Sequence, residues 1–425
     1  MCASLPLARP EAAPVLEETQ SDYSAGIFAN RSFRLFYTGQ AFSYVGDGLR
    51  SLAIPLLVFH LTGSALSLGV TYALEFLPFA LAGLVGGSLA DRLDRKRLMI
   101  GCDFVRCAIL LLFVVASLRG FLSLPLIYAG ITIIAICAAI FLGGQSTSVP
   151  FLVGKHRASQ AVSSLIATEQ ATNLIAPPIG GALFSMGGAL PALVVNALTY
   201  LISQVAIANV KTLGPDKPAT LPTRAEFISD IAEGFRFLSG DAAMRATTLL
   251  SLALNFFGMM AMAVYIPFYK VALHASDAQV GVTLGIVALG AIAGSALAGT
   301  LATSWPFGMS LCIAYAVDGV IFVPVIFAQN LWVAATFWAL ASAGGAFEVT
   351  QIISWRMRVI PQEKIGRVFG AVRMIALGGV VPGTILGGFL ADRLGVRFPI
   401  ALSTWGFLIV ALYAFAIAPL RRDAR

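Results

Sequence analysis

A few acidic and basic residues stand inside long apolar stretches of this chain, and any chemistry it performs has to be sought among them. Asp47, Glu75 and Asp318 lie near the middles of three such stretches, and Asp103 with Arg106 lies toward one end of a fourth. Glu169, Glu348 and Arg373 sit nearer the ends of others. A charge in an apolar medium is expensive unless it is paired. Asp47 and Arg50 are three residues apart, as are Asp103 and Arg106, so each couple can form an ion pair on one helical face. Paired structural charges are the plain alternative to a chemical role for these four. Glu75 and Asp318 have no partner close in sequence. Desolvation disfavours a charged carboxyl, and a carboxyl that takes up and releases a proton could couple proton flow to another process. Asp318 could instead hold a cationic ligand.

The elements that position these groups follow from composition. Of 425 residues, 58% are hydrophobic and 12% charged, against roughly 45–50% and about 25% in soluble domains. Apolar blocks long enough to span a bilayer (about 20 residues) fall near 34–59, 65–88, 98–118, 122–145, 163–186, 189–210, 244–269, 278–302, 307–328, 330–350, 366–390 and 398–419. The expected fold is therefore all-α and integral to a membrane, with twelve transmembrane helices. Charges buried at such depth are functional candidates by default.

Lys and Arg set the orientation. With the N-terminus inside, 21 of the 28 fall on the cytoplasmic side, four fall outside and three fall within helices. Both termini are then cytoplasmic. The long polar break 211–243 contains Phe227, Ile231, Phe235 and Leu238 at helical spacing, which predicts an amphipathic helix on the inner membrane face. The expected organisation is a flexible tail 1–33, a six-helix half 34–210, the linker 211–243, a second six-helix half 244–419 and a tail 420–425. Ala176-Pro177-Pro178-Ile179-Gly180-Gly181 in helix 5 matches Pro382 to Gly388 in helix 11 at an offset near half the chain. A second similar pair joins helices 2 and 8. Duplicated halves can rock about a central site, the physical basis of alternating access.

Several function classes are disfavoured. The basic residues cluster between apolar blocks rather than among aromatics on a polar surface, so no nucleic-acid partner is expected. No phosphate loop, Gly-x-Ser-x-Gly or His-Glu-x-x-His occurs, so no enzyme, cofactor or metal is expected. The five cysteines lack zinc spacing, and no histidine is central to a helix. A proton relay would have to be built from carboxylates.

The most specific feature is the loop running from Gly87 through Asp91, Arg92, Asp94, Arg95 and Lys96 to Arg97. Glycine is expected to end helix 2 there, with an aspartate and cations bridging neighbouring helix ends. This loop resembles the signature between helices 2 and 3 of the major facilitator superfamily at Gly87, Asp91, Arg92, Arg95, Lys96 and Arg97. Asp94 departs from it, standing where the signature has glycine. Leu61 to Ala65, Phe76-Leu77-Pro78 and Ala90 to Arg95 are similar to one bacterial branch, which includes enterobactin-exporter-like and macrolide-efflux-like proteins. Pro177, Pro178, Gly180 and Gly181 resemble the superfamily's exporter motif, with Ala176-Pro177 in place of Gly-Pro. Ordinary tight packing is the alternative reading of those residues. The helix-4 arginine of many proton–drug antiporters is missing, and Arg106 of helix 3 is the candidate substitute.

The resemblance implies a secondary transporter of the inner (plasma) membrane that exports an amphipathic small molecule, a drug or siderophore-like metabolite. Proton antiport by alternating access would drive it. Asp47 and Glu75 are the expected proton carriers and the Asp91–Arg92 loop the inner gate. Phe256, Phe257, Met259, Met260 and Met262 of helix 7 would wall the substrate site or face lipid. One chain makes a self-contained bundle, expected to act as a monomer with protons, lipid and substrate as partners. Uptake of a nutrient or lysolipid, or a receptor or scaffold without transport, uses the same residues.

Overall fold

The computed structural model describes residues 26–214, 224–301 and 307–416, and no strand occurs among them. Six helices come first: α1 (Arg31–Thr62), α2 (Ala65–Arg92), α3 (Arg95–Leu118), α4 (Leu124–Val153), α5 (Ala158–Gly187) and α6 (Leu190–Ala208). A helix of 17 residues, α7 (Arg224–Gly240), follows. The remainder comprises α8 (Ala242–Ala263), α9 (Tyr265–Pro267), α10 (Asp277–Leu301), α11 (Phe307–Phe327), α12 (Leu331–Val359), α13 (Ile365–Leu377), α14 (Val380–Leu394) and α15 (Arg397–Ala416). Ten helical segments among the described residues are long and apolar enough to cross a membrane. Helices α5 and α12, at 30 and 29 residues, are as long but outside that set.

Two spans read as single helices are broken. Val264 separates α8 from α9, and a π-turn over Phe268–Ala272 follows. Gly378 and Gly379 separate α13 from α14. A Cβ at Gly379 would meet the backbone of Leu252 and Phe256, so the break falls where the chain presses closely on α8. Gly87 does not end α2 as expected, because the helix continues through it to Arg92. The turn is closed instead by Asp94, which caps α3 by accepting from the Lys96 and Arg97 amides at 2.9 and 3.2 Å. Asn30 and Asn330 cap α1 and α12 the same way.

The outer surface inverts the usual order. Phe104, Leu118, Trp405 and Leu412 are each more than 60% exposed, while Asp103, Arg106 and Glu348 are at most 3% exposed. Such a surface suits hydrocarbon, with the charges facing the interior of the bundle. Pairing repeats between the two groups of helices. Helix α1 packs on α6, α2 on α4, and α3 on α6 and α4; α8 packs on α15, α10 on α12, and α11 on α15 and α12. The groups meet along two seams, α5 against α10 and α2 against α14.

Helix α7 is tied to the start of α13. The Glu233 carboxylate pairs with Lys364 Nζ at 3.1 Å and with Arg367. The hydrogen bond from Lys364, followed by the charge of Arg367, holds the Glu233 carboxyl below the usual glutamate range. A lowered folded value means the tether is complete above the ordinary glutamate pKa, about 4.3, and is lost as pH falls through the lower folded value. Amide exchange of α7, corrected for intrinsic rate, should therefore be constant between about pH 8 and 5 and rise only below about pH 4. A rise already near pH 6 would show that another group holds the helix.

Candidate functional site

Three helices bring five charges together. Arg50 on α1 donates to Glu75 Oε1 on α2 at 2.8 Å, and its Nε lies 3.6 Å from Asp47 Oδ1. Arg106 on α3 pairs closely with Asp103 and lies 3.9 Å from Asp47 Oδ2. The Tyr200 hydroxyl of α6 donates to Asp47 Oδ1 at 2.5 Å. Glu75 is thus not isolated, as its lack of a sequence neighbour had implied. Its partner is Arg50, which is closer to Glu75 than to Asp47. A pair between helices is invisible to a spacing rule.

Packing places the groups. A Cβ at Gly46 would overlap Asn196 and Thr199, so only glycine lets α1 approach α6 closely enough for Asp47 to reach Tyr200. The Arg106 guanidinium lies between the rings of Phe141 and Tyr200, 4.6 and 4.5 Å from their centroids. Stacking suits a planar cation removed from water. Tyr200 and Phe141 carry no signal in the sequence beyond the polar face Asn196, Thr199, Tyr200 and Ser203 of α6.

Charge counting defines what the cluster can do. Arginine does not deprotonate in proteins. Asp47, Glu75 and Asp103 against Arg50 and Arg106 leave one negative charge in excess when all are ionised. One proton balances the set. Asp47 has the longest ion pairs, and its side chain is 32% exposed, whereas those of Asp103, Arg106 and Arg50 are at most 10% exposed.

Asp318 on α11 and Glu348 on α12 form a second acidic pair. A Cβ at Gly344 would come within 2.5 Å of Asp318 Oδ1, and Glu348 follows Gly344 by one turn on the same face. Asp318 Oδ1 and both Glu348 oxygens are buried without a hydrogen-bond partner among the described residues. Glu348 was expected near a helix end; it is fully buried beside Asp318.

A cavity of about 640 Å³ is walled by α8, α12 and α13 of the second group, with Ala80 of α2 reaching it from the first. Arg356 and Arg373 reach it, with Ser251 and Asn255 and an otherwise largely apolar wall. The aromatic and methionine set of α8 does not line it. Phe257 packs over Gly406 and against Phe407, Met260 over Gly387, and the Phe256 backbone over Gly379 and Gly383. The residues that face the cavity from α8 are Ser251, Leu254 and Asn255.

The opposite end of the bundle is clasped. Asp392 at the end of α14 accepts from the Ala65 and Leu66 amides at 2.7 and 3.1 Å and from the Ser64 hydroxyl at 2.6 Å. Asp277 receives Lys270 Nζ at 2.9 Å and meets His60 Nε2 at 3.1 Å. Asp392→Ala should weaken this end by about 1 kcal/mol, the value of a lost helix cap. Spin labels on the α1–α2 and α14–α15 turns would then show a larger separated fraction; an unchanged distribution would mean the seams alone hold it closed.

A profile of the Major Facilitator Superfamily matches residues 36–381. The chain belongs to this superfamily of transporters. The enterobactin exporter EntS of Citrobacter koseri is 25% identical over 396 residues, 90% of each protein. Macrolide efflux protein A of Streptococcus pyogenes is 23% identical over 404 residues, 92% of this chain and 96% of that one. The crystal structure of a bacterial homologue of the iron transporter ferroportin, in its inward-facing state, matches with a TM-score of 0.73 over 93% of this chain and 99% of that one, at 15% identity. That likeness is one of fold.

The loop that resembles the superfamily's signature ties helix ends together. Arg95 Nη1 donates to the Thr147 carbonyl of α4 at 3.2 Å, and Lys96 Nζ to the Val210 carbonyl beyond α6 at 2.7 Å. Asp94 also lies 3.5 Å from Arg97 Nε. The side chains of Asp91 and Arg92, and the surroundings of Gly87, lie outside the described residues. The exporter-like motif lies on the α5–α10 seam. A Cβ at Gly181 would stand 2.6 Å from the Asp277 carbonyl and 3.1 Å from Gly281 Cα, and one at Gly285 would stand 2.9 Å from Pro178 Cγ. Gly281 in turn faces the Pro177 carbonyl, and Gly180 lies against Leu49 of α1.

Proposed function

We propose that this transporter exports an amphipathic small molecule across the inner membrane in exchange for protons, by rocking two six-helix halves, 34–210 and 244–419, about the central cavity. In this reading twelve helices span the membrane, with both termini and the linker 211–243 in the cytoplasm. The observation that carries it is the cluster of three carboxylates against two arginines, one proton short of balance. The sequence likeness to exporters supports the direction.

The clasped end is then the periplasmic end, and the cavity opens toward the cytoplasm. Asp47 takes a proton from outside when the clasp opens and gives it up inside, where substrate enters. Glu75 and Asp103 hold Arg50 and Arg106 in place, and Asp318 with Glu348 is the second candidate carrier. Arg95, Lys96, Arg97, Asp91 and Arg92 gate the inner end. A proton entering with the potential supplies about 2.3 kcal/mol per 100 mV, more than a tenfold gradient of a neutral solute requires.

The test is accumulation of ethidium and of a macrolide in efflux-deficient bacteria, with and without the protein and a protonophore. Lower accumulation that the protonophore restores is expected. Protein-dependent accumulation that the protonophore abolishes would reverse the direction to uptake.

A further inference from the structure

From the charges lining the cavity, we infer that its ligand is an amphipathic organic anion, seated by Arg356 and Arg373. The inference rests on the transport reading and adds the substrate's charge to it.

Arg356 on α12 is 4% exposed yet lines the cavity. It makes no ion pair among the described residues. Its guanidinium has only long contacts, 3.4 Å to the Thr248 hydroxyl and 3.5 Å to that of Ser251, and its Nε has no partner. Glu348, the buried acid on the same helix, lies eight residues earlier, about 12 Å along the axis and beyond ion-pair range. A guanidinium taken from water without a counter-charge is costly, and this one, held only by long contacts, lines a space that can hold a ligand.

Arg373 approaches the same cavity from α13. It too makes no ion pair among the described residues, and it rests over the Phe79 ring of α2 at 5.9 Å. Among the described residues, no aspartate or glutamate lines this cavity. Two forked cations facing one volume match a carboxylate, sulfonate or paired phenolate oxygens, which guanidinium binds through parallel hydrogen bonds. Leu254, Ile352 and Phe369 supply an apolar wall for the remainder of the ligand. The volume, about 640 Å³, is that of a small-molecule site. A cationic amphiphile would face two like charges here.

Exchange for a proton then has an electrical consequence. An anion leaving and a proton entering both move positive charge inward. An inside-negative potential therefore drives both halves of the cycle.

The test uses the full chain in phosphatidylcholine nanodiscs and two dyes of one frame, anionic carboxyfluorescein and cationic rhodamine 123, with binding read by anisotropy. Carboxyfluorescein should bind saturably and more tightly than rhodamine 123. Arg373→Gln and Arg356→Gln should each weaken it about tenfold, the scale of a lost charge-assisted hydrogen bond, and Arg356→Lys should restore part of the loss. Arg373 is exposed, so its variant keeps the test valid if the Arg356 variant fails to fold. Tighter binding of rhodamine 123, equal binding of carboxyfluorescein by both Gln variants, or no saturable anion binding would overturn the inference. So would loss of dye binding in discs containing phosphatidylglycerol, which would assign the arginines to a lipid headgroup. Protonophore-sensitive export of rhodamine 123 without anion binding would remove the substrate class and leave the exporter. Arginine-dependent anion binding without proton-driven flux would do the reverse.

Discussion

Asp47→Asn is expected to abolish transport against a gradient while leaving the protein folded. The substitution removes one negative charge from a cluster with one in excess. Glu75 and Asp103 then balance Arg50 and Arg106, and no proton is needed. An asparagine side-chain oxygen can still accept from Tyr200, as Asp47 Oδ1 does at 2.5 Å, so packing at α1–α6 should survive. Uphill accumulation should drop to the background of empty vesicles, a loss of about a hundredfold or more for a residue on which coupling depends. Exchange down a gradient should persist. Unchanged accumulation in this variant would remove Asp47 from the mechanism and turn attention to Asp318 and Glu348.

The second large effect is mechanical. Gly181→Leu should hold the clasped end open and reduce transport at least about tenfold, because overpacking a tight contact costs about 1–3 kcal/mol. Even a methyl at this position would stand 2.6 Å from the Asp277 carbonyl, and backbone cannot move aside as a flexible side chain can. The neighbouring seam contact, Ser185 Oγ accepting from the Ala278 amide at 3.1 Å, would part with it. A cysteine at Ser185 in a cysteine-free background reports the change. Its labelling by a membrane-impermeant thiol reagent from outside should rise in the Gly181→Leu protein. Undiminished transport would show that the α5–α10 seam does not close during the cycle. Other substitutions in the Pro177-Pro178-Ile179-Gly180-Gly181 run are informative chiefly where they touch α10, since Gly180 contacts α1 instead.

The fold was legible because the bilayer writes it in composition. Long apolar blocks need no knowledge of packing, and ten helical segments among the described residues are long and apolar enough to cross a membrane. Helix-scale spacing also brought out the Asp103–Arg106 pair, which is local to α3. Contacts between helices were out of reach. Glu75 looked unpaired because its partner Arg50 lies 25 residues away on another helix. Glu348 looked peripheral because its burial against Asp318 depends on how α11 and α12 cross. The aromatic and methionine run of α8 looked like a substrate wall because one-dimensional patterns cannot tell which face of a largely apolar helix meets a cavity. Gly87 looked like a helix end, but the α2 backbone continues through it and Asp94 closes the turn. The clasp at Asp392 joins residues 327 apart and left no sequence signal.

The central claim is that substrate and proton move in opposite directions through one protein. Acid-loaded proteoliposomes in a lightly buffered medium test it most directly, with whichever xanthene dye the protein binds added outside and external pH followed by electrode. Dye accumulation above its outside concentration, together with acidification of the medium, is expected, and both should be lost in Asp47→Asn. Uptake that proceeds without proton release, or proton release unchanged in Asp47→Asn, would contradict it.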